Sequence, residues 1–525
     1  MPFLEICIGK TKEKRRFEIG KSIKQLLDAT DARVRSACNG IGACGLCKIR
    51  VLSQEIFKPS QADEIHLDKE EIEKGVRLAC QHYPSQDISI EVMAPAPKSQ
   101  WRSDVISDYV CDFEIIKSEG CRLAIDIGTT HLGIAFVDSN GVFIADRTGV
   151  NPQAFAGADI LSRIVSAVND KESADSMWDM LISALAEGVK DITKREGMSH
   201  RKITSCDIVG NSAMIAMLCR HNYHLLLDPA YWMAPIETNI SDENRAKIAS
   251  NLKADSVTIW PPLAGFVGSD VVAGIVSVGL LKREKPSMLI DFGTNSEIAL
   301  WDGKKLWLTS AAGGPAFEAS GGGCSIPAGR GAIFRASKEK GEWRFETLGD
   351  SKPEGVCGSG LVDLIAELVA ENEITPLGTF KDASLQSWRF PIKDKDIEFF
   401  LSKKDIDLFA RAKAAISVGV VALCEAADVE ISDIDALYIG GDFGKHLDIK
   451  NAMNIGLIPQ IATHKVKTLG NTALLGCLDL ALSKEARDEF WVVKKIGSVT
   501  NLASYQAFDD VYMQNLYLRA MSYGD

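Results

Sequence analysis

No stretch of this 525-residue chain is apolar for long enough to cross a bilayer. The longest such run, residues 271–281, would cover about half of a ~30 Å hydrocarbon core and contains glycines. The opening residues Met1-Pro2-Phe3-Leu4-Glu5-Ile6-Cys7 lack a basic segment followed by a long apolar one, so no signal peptide is read there and a cytoplasmic protein is expected. Positive charge is scarce: 59 Lys and Arg stand against 71 Asp and Glu, a net charge of −12. That balance excludes the concentrated basic surface with which proteins replace phosphate counterions. Neither nucleic acid nor a membrane is expected as a partner. The P-loop signature G-x-x-x-x-G-K-S/T is missing, and Gly355-Val356-Cys357-Gly358-Ser359-Gly360 lacks the dinucleotide-binding spacing. Two common routes to nucleotide binding are therefore set aside. The 46% hydrophobic content is ordinary and gives about three or four domains their cores.

Cysteine, by contrast, is plentiful and unevenly placed. Three of the 13 cysteines lie within Cys38-Asn39-Gly40-Ile41-Gly42-Ala43-Cys44-Gly45-Leu46-Cys47, and a fourth is Cys80, a C-x5-C-x2-C-x32-C spacing. Four thiolates suit a 2Fe–2S cluster, and a loop of Gly40, Gly42, Ala43 and Gly45 lets backbone N–H groups approach the sulfurs. The alternatives are a zinc knuckle or a redox C-x-x-C. A single C-x2-C pair with a remote fourth cysteine favours the iron–sulfur centre over a zinc ribbon. The other nine cysteines read as small buried hydrophobes or reduced core thiols.

Around this loop, alternating patterns at 3–8 and 15–19 predict two strands, and Ser22 caps a helical pattern carrying Ile23, Leu26 and Leu27. Residues 48–52 and 87–92 read as strands and 60–67 as a short capped helix, which together fit a β-grasp sheet. Pro95 and Pro97 mark a boundary. Residues 1–95 are read as the first domain and 96–120 as a linker. The linker's Trp101, Val105, Ile106, Tyr109 and Val110 allow docking as a helix as readily as free movement.

A second pattern begins at Arg122: strand, Asp126-Ile127-Gly128-Thr129-Thr130, strand, then a turn at Ser139-Asn140-Gly141. It returns 165 positions later as Asp291-Phe292-Gly293-Thr294-Asn295. The repeat predicts two lobes, 121–286 and 287–525. Helices are predicted at about 158–169, 173–196, from 211, 268–281, 358–372 and 404–427, with strands at 204–209 and 434–439. An ATP site needs N–H groups curled around phosphates and carboxylates that hold Mg²⁺ mainly through its waters. Gly128, Thr129, Thr130, Gly293, Thr294 and Asn295 are candidates for the first task, Asp126 and Asp291 for the second. A lone aspartate before a glycine turn is usually a hairpin cap; the duplication raises the functional reading. Asp270 reads as a helix-dipole partner or a water-orienting acid, with Glu297 and Glu318 as weaker base candidates. His131 reads as a hairpin residue.

The first 95 residues resemble plant-type and adrenodoxin-type ferredoxins, the x5 gap matching the latter. The two turns, followed by Ile439-Gly440-Gly441-Asp442-Phe443-Gly444, resemble the phosphate-1, phosphate-2 and adenosine motifs of the actin, sugar-kinase and Hsp70 superfamily. That resemblance implies a two-lobed, actin-like (ribonuclease H-like, duplicated) α/β ATPase behind an α+β ferredoxin domain, with Gly440, Gly441, Phe443 and Gly444 at the nucleoside. Val209-Gly210-Asn211-Ser212 and Gly470-Asn471-Thr472-Ala473 resemble its two connecting segments. The pairing of modules, with Gly314-Pro315-Ala316-Phe317-Glu318 and Ile455-Gly456-Leu457-Ile458-Pro459, resembles ATP-dependent reductive activators of corrinoid proteins. It implies one-electron reduction of Co(II) to Co(I) in methyl-transfer metabolism, an external low-potential electron donor and a corrinoid protein partner. The short gap after Pro95 reads as loss of the middle domain of some members, which leaves open any homodimer built on it. The rival readings are an activator of a radical dehydratase, a small-molecule kinase with a redox sensor, and a nucleotide-switched redox scaffold.

Overall fold

The computed structural model describes the chain except residues 1, 9–10, 18, 29–31, 33, 35–41, 43–44, 54–56, 94, 96–100, 102–108, 158–159, 196–197, 199–200, 314–323, 327, 329–330, 349–351, 393–398, 442 and 524–525. Cys38, Cys44, Val105, Ile106, Glu318 and Asp442 lie outside the described residues.

The N-terminal sheet contains β1 (Phe3–Ile8), β2 (Thr11–Arg16), β3 (Lys48–Val51), β4 (Val76–Leu78) and β5 (Ile88–Val92) in the order β2-β1-β5-β3-β4. β1 and β5 pair in parallel and the other pairs are antiparallel. Alternation turns Leu4, Ile6, Ile49, Val51, Ile88 and Ile90 into one core, closed by Ile23 and Leu27 of the helix Ile23–Asp28. One expectation shifts. The polar segment read as a turn is the body of β2, because an edge strand needs no apolar face of its own. β4 has only three residues, too few to show a period.

The next sheet contains β6 (Cys121–Ile127), β7 (His131–Val137), β8 (Phe143–Val150), β9 (Ile203–Gly210) and β10 (Val257–Ile259), ordered β10-β9-β6-β7-β8. Its counterpart begins with β11 (Ser287–Phe292), β12 (Ser296–Trp301) and β13 (Leu306–Ala311). A side sheet follows, of β14 (Ala332–Glu339), β15 (Glu342–Thr347) and β16 (Gly355–Val356), then the pair β17 (Ser387–Arg389) and β18 (Phe400–Ser402). With β19 (Ala436–Gly440), β20 (Val466–Gly470) and β21 (Gly497–Val499), the second large sheet is β20-β19-β11-β12-β13-β21. In each, an antiparallel meander is extended by two parallel strands on the side of its first strand. The duplication seen in the sequence is thus a duplication of topology.

Strand parity sets the layers. Leu123, Ile125 and Ile127 of β6 face an outer core under the helices Ile160–Asn169, Lys171–Arg195 and Ser212–Cys219. Met288, Ile290 and Phe292 of β11 face another, under Gly358–Ala370 and Lys403–Ala427. The alternate residues Ala124, Ala135, Leu289 and Ala299 meet a third core between the sheets, filled by the helices Ser269–Ser277 and Thr472–Leu482. These two helices touch backbone to backbone, since a Cβ on Gly476 would fall 2.0 Å from the Ala273 carbonyl oxygen. Because side chains alternate with a period of two, Asp126 follows Ala124 and Asp291 follows Leu289 onto this inner face.

In the ferredoxin domain the buried Asp63 ties the helix Gln61–His66 to β4. Its carboxylate accepts from Ser60 N–H (2.7 Å), Leu78 N–H (2.7 Å) and His82 Nε2 (2.7 Å). Burial alone would raise its pKa, but the bonds from His82, Ser60 and Leu78 outweigh that and hold it at about 2, against 3.8 for the free side chain. A depressed carboxylate stabilises the fold above its unfolded pKa and loses that contribution as pH falls through the folded one. The contribution, roughly 2 kcal/mol, is complete above about pH 4 and gone below about pH 2. Asp63→Ala, which also strands its donors, is expected to cost about 2–4 kcal/mol in a thermal or denaturant melt at pH 7, and less at pH 2.5.

Candidate functional site: a cleft between two carboxylate-bearing turns, with a ferredoxin domain

Each of the turns after β6 and β11 is closed by its glycine: Gly128 N–H donates to the His131 carbonyl three residues on (2.9 Å), and Gly293 N–H to the Asn295 carbonyl two residues on (3.0 Å). They face each other across one cleft and touch, Thr130 Oγ1 lying 2.9 Å from Thr294 Oγ1. Asp126, Gly128, Thr129, Thr130, Asp291, Gly293, Thr294, Asn295, Gly441 and Phe443 line this cleft.

The connecting segments reach the same place. Asn211 caps the helix Ser212–Cys219 and donates from Nδ2 to Thr129 Oγ1 (2.9 Å). Asn471 caps Thr472–Leu482 and donates from Nδ2 to Asp126 Oδ2 (2.9 Å), while Thr472 Oγ1 donates to Asp291 Oδ2 (2.9 Å). One helical turn thus holds a carboxylate of each lobe. The capping reading of both segments holds, and Asn471 also reaches from the helix Thr472–Leu482 to Asp126 on the other sheet.

Gly440 and Gly444 do not line the cleft. A Cβ on Gly440 would meet Thr472 Oγ1 at 2.7 Å, and one on Gly444 would meet the Ile439 side chain at 2.7 Å. Gly441, with φ +85°, brings the end of β19 against the Phe292 carbonyl, which a Cβ would approach to 2.1 Å. In this structure, close backbone packing is what these glycines serve; Phe443, edge-on to Phe292 with centroids 5.1 Å apart, offers the ring surface. Residues not anticipated join it: Ala328, His446, and Cys357, Gly358 and Ser359 of the segment set aside for its spacing. Cys357 precedes the helix Gly358–Ala370, whose first turn has no side-chain cap from it. A glycine-rich turn between strand and helix was the available signal, whatever its spacing.

Four carboxylates, of Asp126, Asp270, Asp291 and Glu297, share the cleft. Asp270 and Glu297 are each only partly exposed. Burial, with added repulsion from Asp291, pushes Asp270 up to about 7, although Val271 N–H donates to its Oδ1 (2.8 Å) and opposes the rise. Burial, then the charges of Asp270 and Asp291, raise Glu297 well above the usual carboxylate range against a bond from Ser310 (3.2 Å). Among the described residues no three such groups converge tightly enough to chelate a metal directly.

In the ferredoxin domain, β3–β4 pairing brings Cys47 across from Ala79, the residue before Cys80: Lys48 opposes Leu78, and Ala79 N–H donates to the Cys47 carbonyl (2.8 Å). The remote cysteine is thereby delivered to the loop. Both are buried in the domain core, and Gln81 Nε2 donates to Cys80 Sγ (3.4 Å), a contact that stabilises a sulfur ligand. Gly42 and Gly45, at φ +83° and +68°, pack where a Cβ would meet Ala62 at 3.0 Å and His66 at 2.8 Å. This donor set, as far as it is described, fits a cluster wrapped by a tight loop. No disulfide joins the described cysteines.

A ferredoxin domain joined to a duplicated two-lobed nucleotide fold defines an iron–sulfur protein of the ASKHA class. Three family models match in series: a 2Fe-2S iron-sulfur cluster binding domain over residues 9–85, the RACo middle region over 121–283, and the C-terminal, ASKHA domain of RACo over 285–523. The chain is 31% identical over 415 residues to the corrinoid activation enzyme RamQ of Eubacterium limosum, covering 75% of this chain and 69% of that protein. It is 25% identical over 284 residues to the Co(II) methylated amine-specific corrinoid protein reductase of Methanosarcina barkeri, covering 50% and 51%. A solved reductive activator for corrinoid, iron-sulfur protein shares the fold with a TM-score of 0.69 at 24% identity, over 99% of both chains. The chain belongs to the family of reductive corrinoid activators. One expectation is corrected: the middle region is not missing, since its model falls on residues 121–283, the first lobe itself.

A raised carboxylate pKa costs stability once the unfolded chain ionises, so the Asp270 penalty grows from about pH 4 to about pH 7 and then levels. Asp270→Asn keeps an acceptor for Val271 N–H. It is expected to raise stability in metal-free buffer at pH 8 by about 1–3 kcal/mol, a gain that vanishes near pH 4 in a melting series.

Proposed function

We propose that this protein uses ATP to drive one-electron reduction of a corrinoid protein's cobalt from Co(II) to Co(I), restoring it for methyl transfer. The observation that carries the proposal is the single turn Asn471-Thr472, which grips Asp126 of one lobe and Asp291 of the other in a chain that also carries a ferredoxin-type sheet with Cys47 bonded to Ala79, the residue before Cys80. The working units are the ferredoxin domain 1–95, the linker 96–120 and the lobes 121–286 and 287–525.

Cys38, Cys44, Cys47 and Cys80 are the ligands of a 2Fe–2S cluster, which when bound supplies single-electron transfer from an external low-potential donor. Asp126 and Asp291 hold Mg²⁺ through its waters, and the turns at Gly128-Thr129-Thr130 and Gly293-Thr294-Asn295 take the phosphates. Gly441 and Phe443, with Cys357 to Ser359, border the nucleoside; Gly440 and Gly444 let their strand end pack this closely. Phosphoryl transfer rests on positioning and charge neutralisation more than on covalent help. Asp270, held near neutrality by burial, is suited to take the proton of the attacking water.

ATP is needed because the transfer is uphill. A plant-type cluster lies near −400 mV, and each ~59 mV by which the cobalt couple lies lower costs a factor of about ten. Nucleotide bound between the lobes favours reduction if the ATP-bound form holds the corrinoid protein differently from the free form. Reduced cysteines and cobalt at this potential suit the cytoplasm. A homodimer is compatible with the scheme, but no step uses a second copy.

Asp126→Asn and Asp291→Asn are each expected to lower ATP hydrolysis by about 100-fold or more and to bring the Co(I) yield, read by visible absorbance, to the level without ATP. Cys80→Ser is expected to keep hydrolysis and lose Co(I) formation. Co(I) made at the normal rate by Cys80→Ser would overturn the reading.

A further inference from the structure

The pairing of β14 with β15 carries one extra residue: Ile333 opposes Thr347 and Arg335 opposes Glu346, so Phe334 has no partner of its own across the pair. In a regular strand Phe334 and Arg335 would point to opposite faces of the sheet. At this bulge both reach the segment that follows β19. The Phe334 ring stands 4.9 Å from the His446 ring, centroid to centroid. Arg335 Nη1 donates to Asp448 Oδ2 (2.9 Å) and Nη2 to the His446 carbonyl (3.4 Å). His446 itself is a half-buried residue of the cleft lining.

The same stretch of β14 holds the other second-lobe segment of the cleft. Cys357 N–H donates to the Ile333 carbonyl (3.0 Å) and Ser359 Oγ to the Phe334 carbonyl (3.0 Å). The helix Gly358–Ala370 starts so close that a Cβ on Gly360 would fall 2.3 Å from the Ile333 carbonyl oxygen. Farther along that helix the fully buried Asp363 accepts from Ala336 N–H (3.2 Å) and from Asn451 Nδ2 (2.9 Å), with Arg335 Nη1 3.6 Å from its Oδ2. Asp448 caps the short helix Ile449–Asn454, accepting from Asn451 N–H (3.0 Å). Arg335 thus stands between two carboxylates, one on each segment. Its planar fork can serve Asp448 and the His446 carbonyl at once, which a lysine ammonium on a flexible stem does not reproduce.

We propose that His446 is a nucleobase-contacting residue and that Phe334 and Arg335 are positioning residues that fix it, so that the bulge in the side sheet sets affinity for the base and leaves the phosphates untouched. This rests on the reading of the cleft as an ATP site. The phosphate turns Gly128-Thr129-Thr130 and Gly293-Thr294-Asn295 belong to the two large sheets, whereas His446 is held from the side sheet. The two ends of the ligand are therefore gripped by separate parts of the fold, and their contributions can be separated. A ring at the cleft wall gains most from the larger face of a purine.

Binding of MgATP and of magnesium tripolyphosphate, which has the phosphates and no base, to the full-length protein tests this by calorimetry. The wild type should bind MgATP more tightly. His446→Ala should weaken MgATP about tenfold and leave tripolyphosphate within about twofold. Arg335→Gln should lose a similar factor for MgATP alone, and the double variant no more than about twofold beyond either single one. Arg335→Lys, which keeps a charge between Asp363 and Asp448, should melt like the wild type and still bind MgATP weakly, a split that a merely structural role would not produce. Unchanged MgATP binding in His446→Ala, equal weakening of both ligands in either single variant, or wild-type protein that binds the two ligands alike overturns the proposal and leaves the nucleotide reading standing. Wild-type protein that binds no MgATP overturns both.

Discussion

Two carboxylates of like sign, Asp126 and Asp291, face one space between two sheets, and one turn answers both: Asn471 donates to the first and Thr472 to the second. Burying charge is costly unless it is paired and hydrogen-bonded. These two bonds offset part of that cost for each lobe and make each depend on a residue close to the other. The lobes are therefore not independent halves. Their inner faces carry Ala124, Ala135 and Ala299, small enough for the connecting helices to lie close, and those helices begin at the carboxylates. Packing and chemistry are set by the same alternation of strand residues.

That alternation made much of the fold legible. The repeated strand–turn–strand around Asp126 and Asp291 is a pattern of period two with a glycine turn, and it returned as two meanders of the same topology. Helices with strong starts, such as Lys403–Ala427 behind its Ser402 capping box, were read to within a residue. What escaped was short or without a period of its own. β4 and β10 have three residues each, and β15 carries an apolar face of only two aromatic residues, Trp343 and Phe345. Such strands exist because neighbours supply hydrogen bonds, and a neighbour distant in the chain leaves no local signal.

At the site, turns were easier to read than surfaces. Both glycine turns and the caps Asn211 and Asn471 meet in the cleft, since a glycine turn or an N-cap carries its reason in its own residues. The glycines after β19 were read as room for a nucleobase, yet Gly440 and Gly444 are small to admit Thr472 and Ile439. Cys357 to Ser359 lack the dinucleotide-binding spacing, yet their turn between strand and helix opens onto the cleft. Asp270 needed the structure: its burial and its closeness to Asp291, not its helix position, mark it out. For the four cysteines the sequence spacing remains the main guide, and the structure adds the backbone bond that ties Cys47 to Ala79, the residue before Cys80.

The account depends on an electron leaving an iron–sulfur centre only when nucleotide permits it. The most direct measurement is freeze-quench EPR on the anaerobically reduced, iron-analysed protein mixed with a Co(II) corrinoid protein, with and without MgATP. The predicted result is loss of the reduced-cluster and Co(II) signals one for one with MgATP and persistence of both without it. Equal loss in the two samples, or loss of Co(II) signal by a preparation holding zinc at the four cysteines, would contradict it.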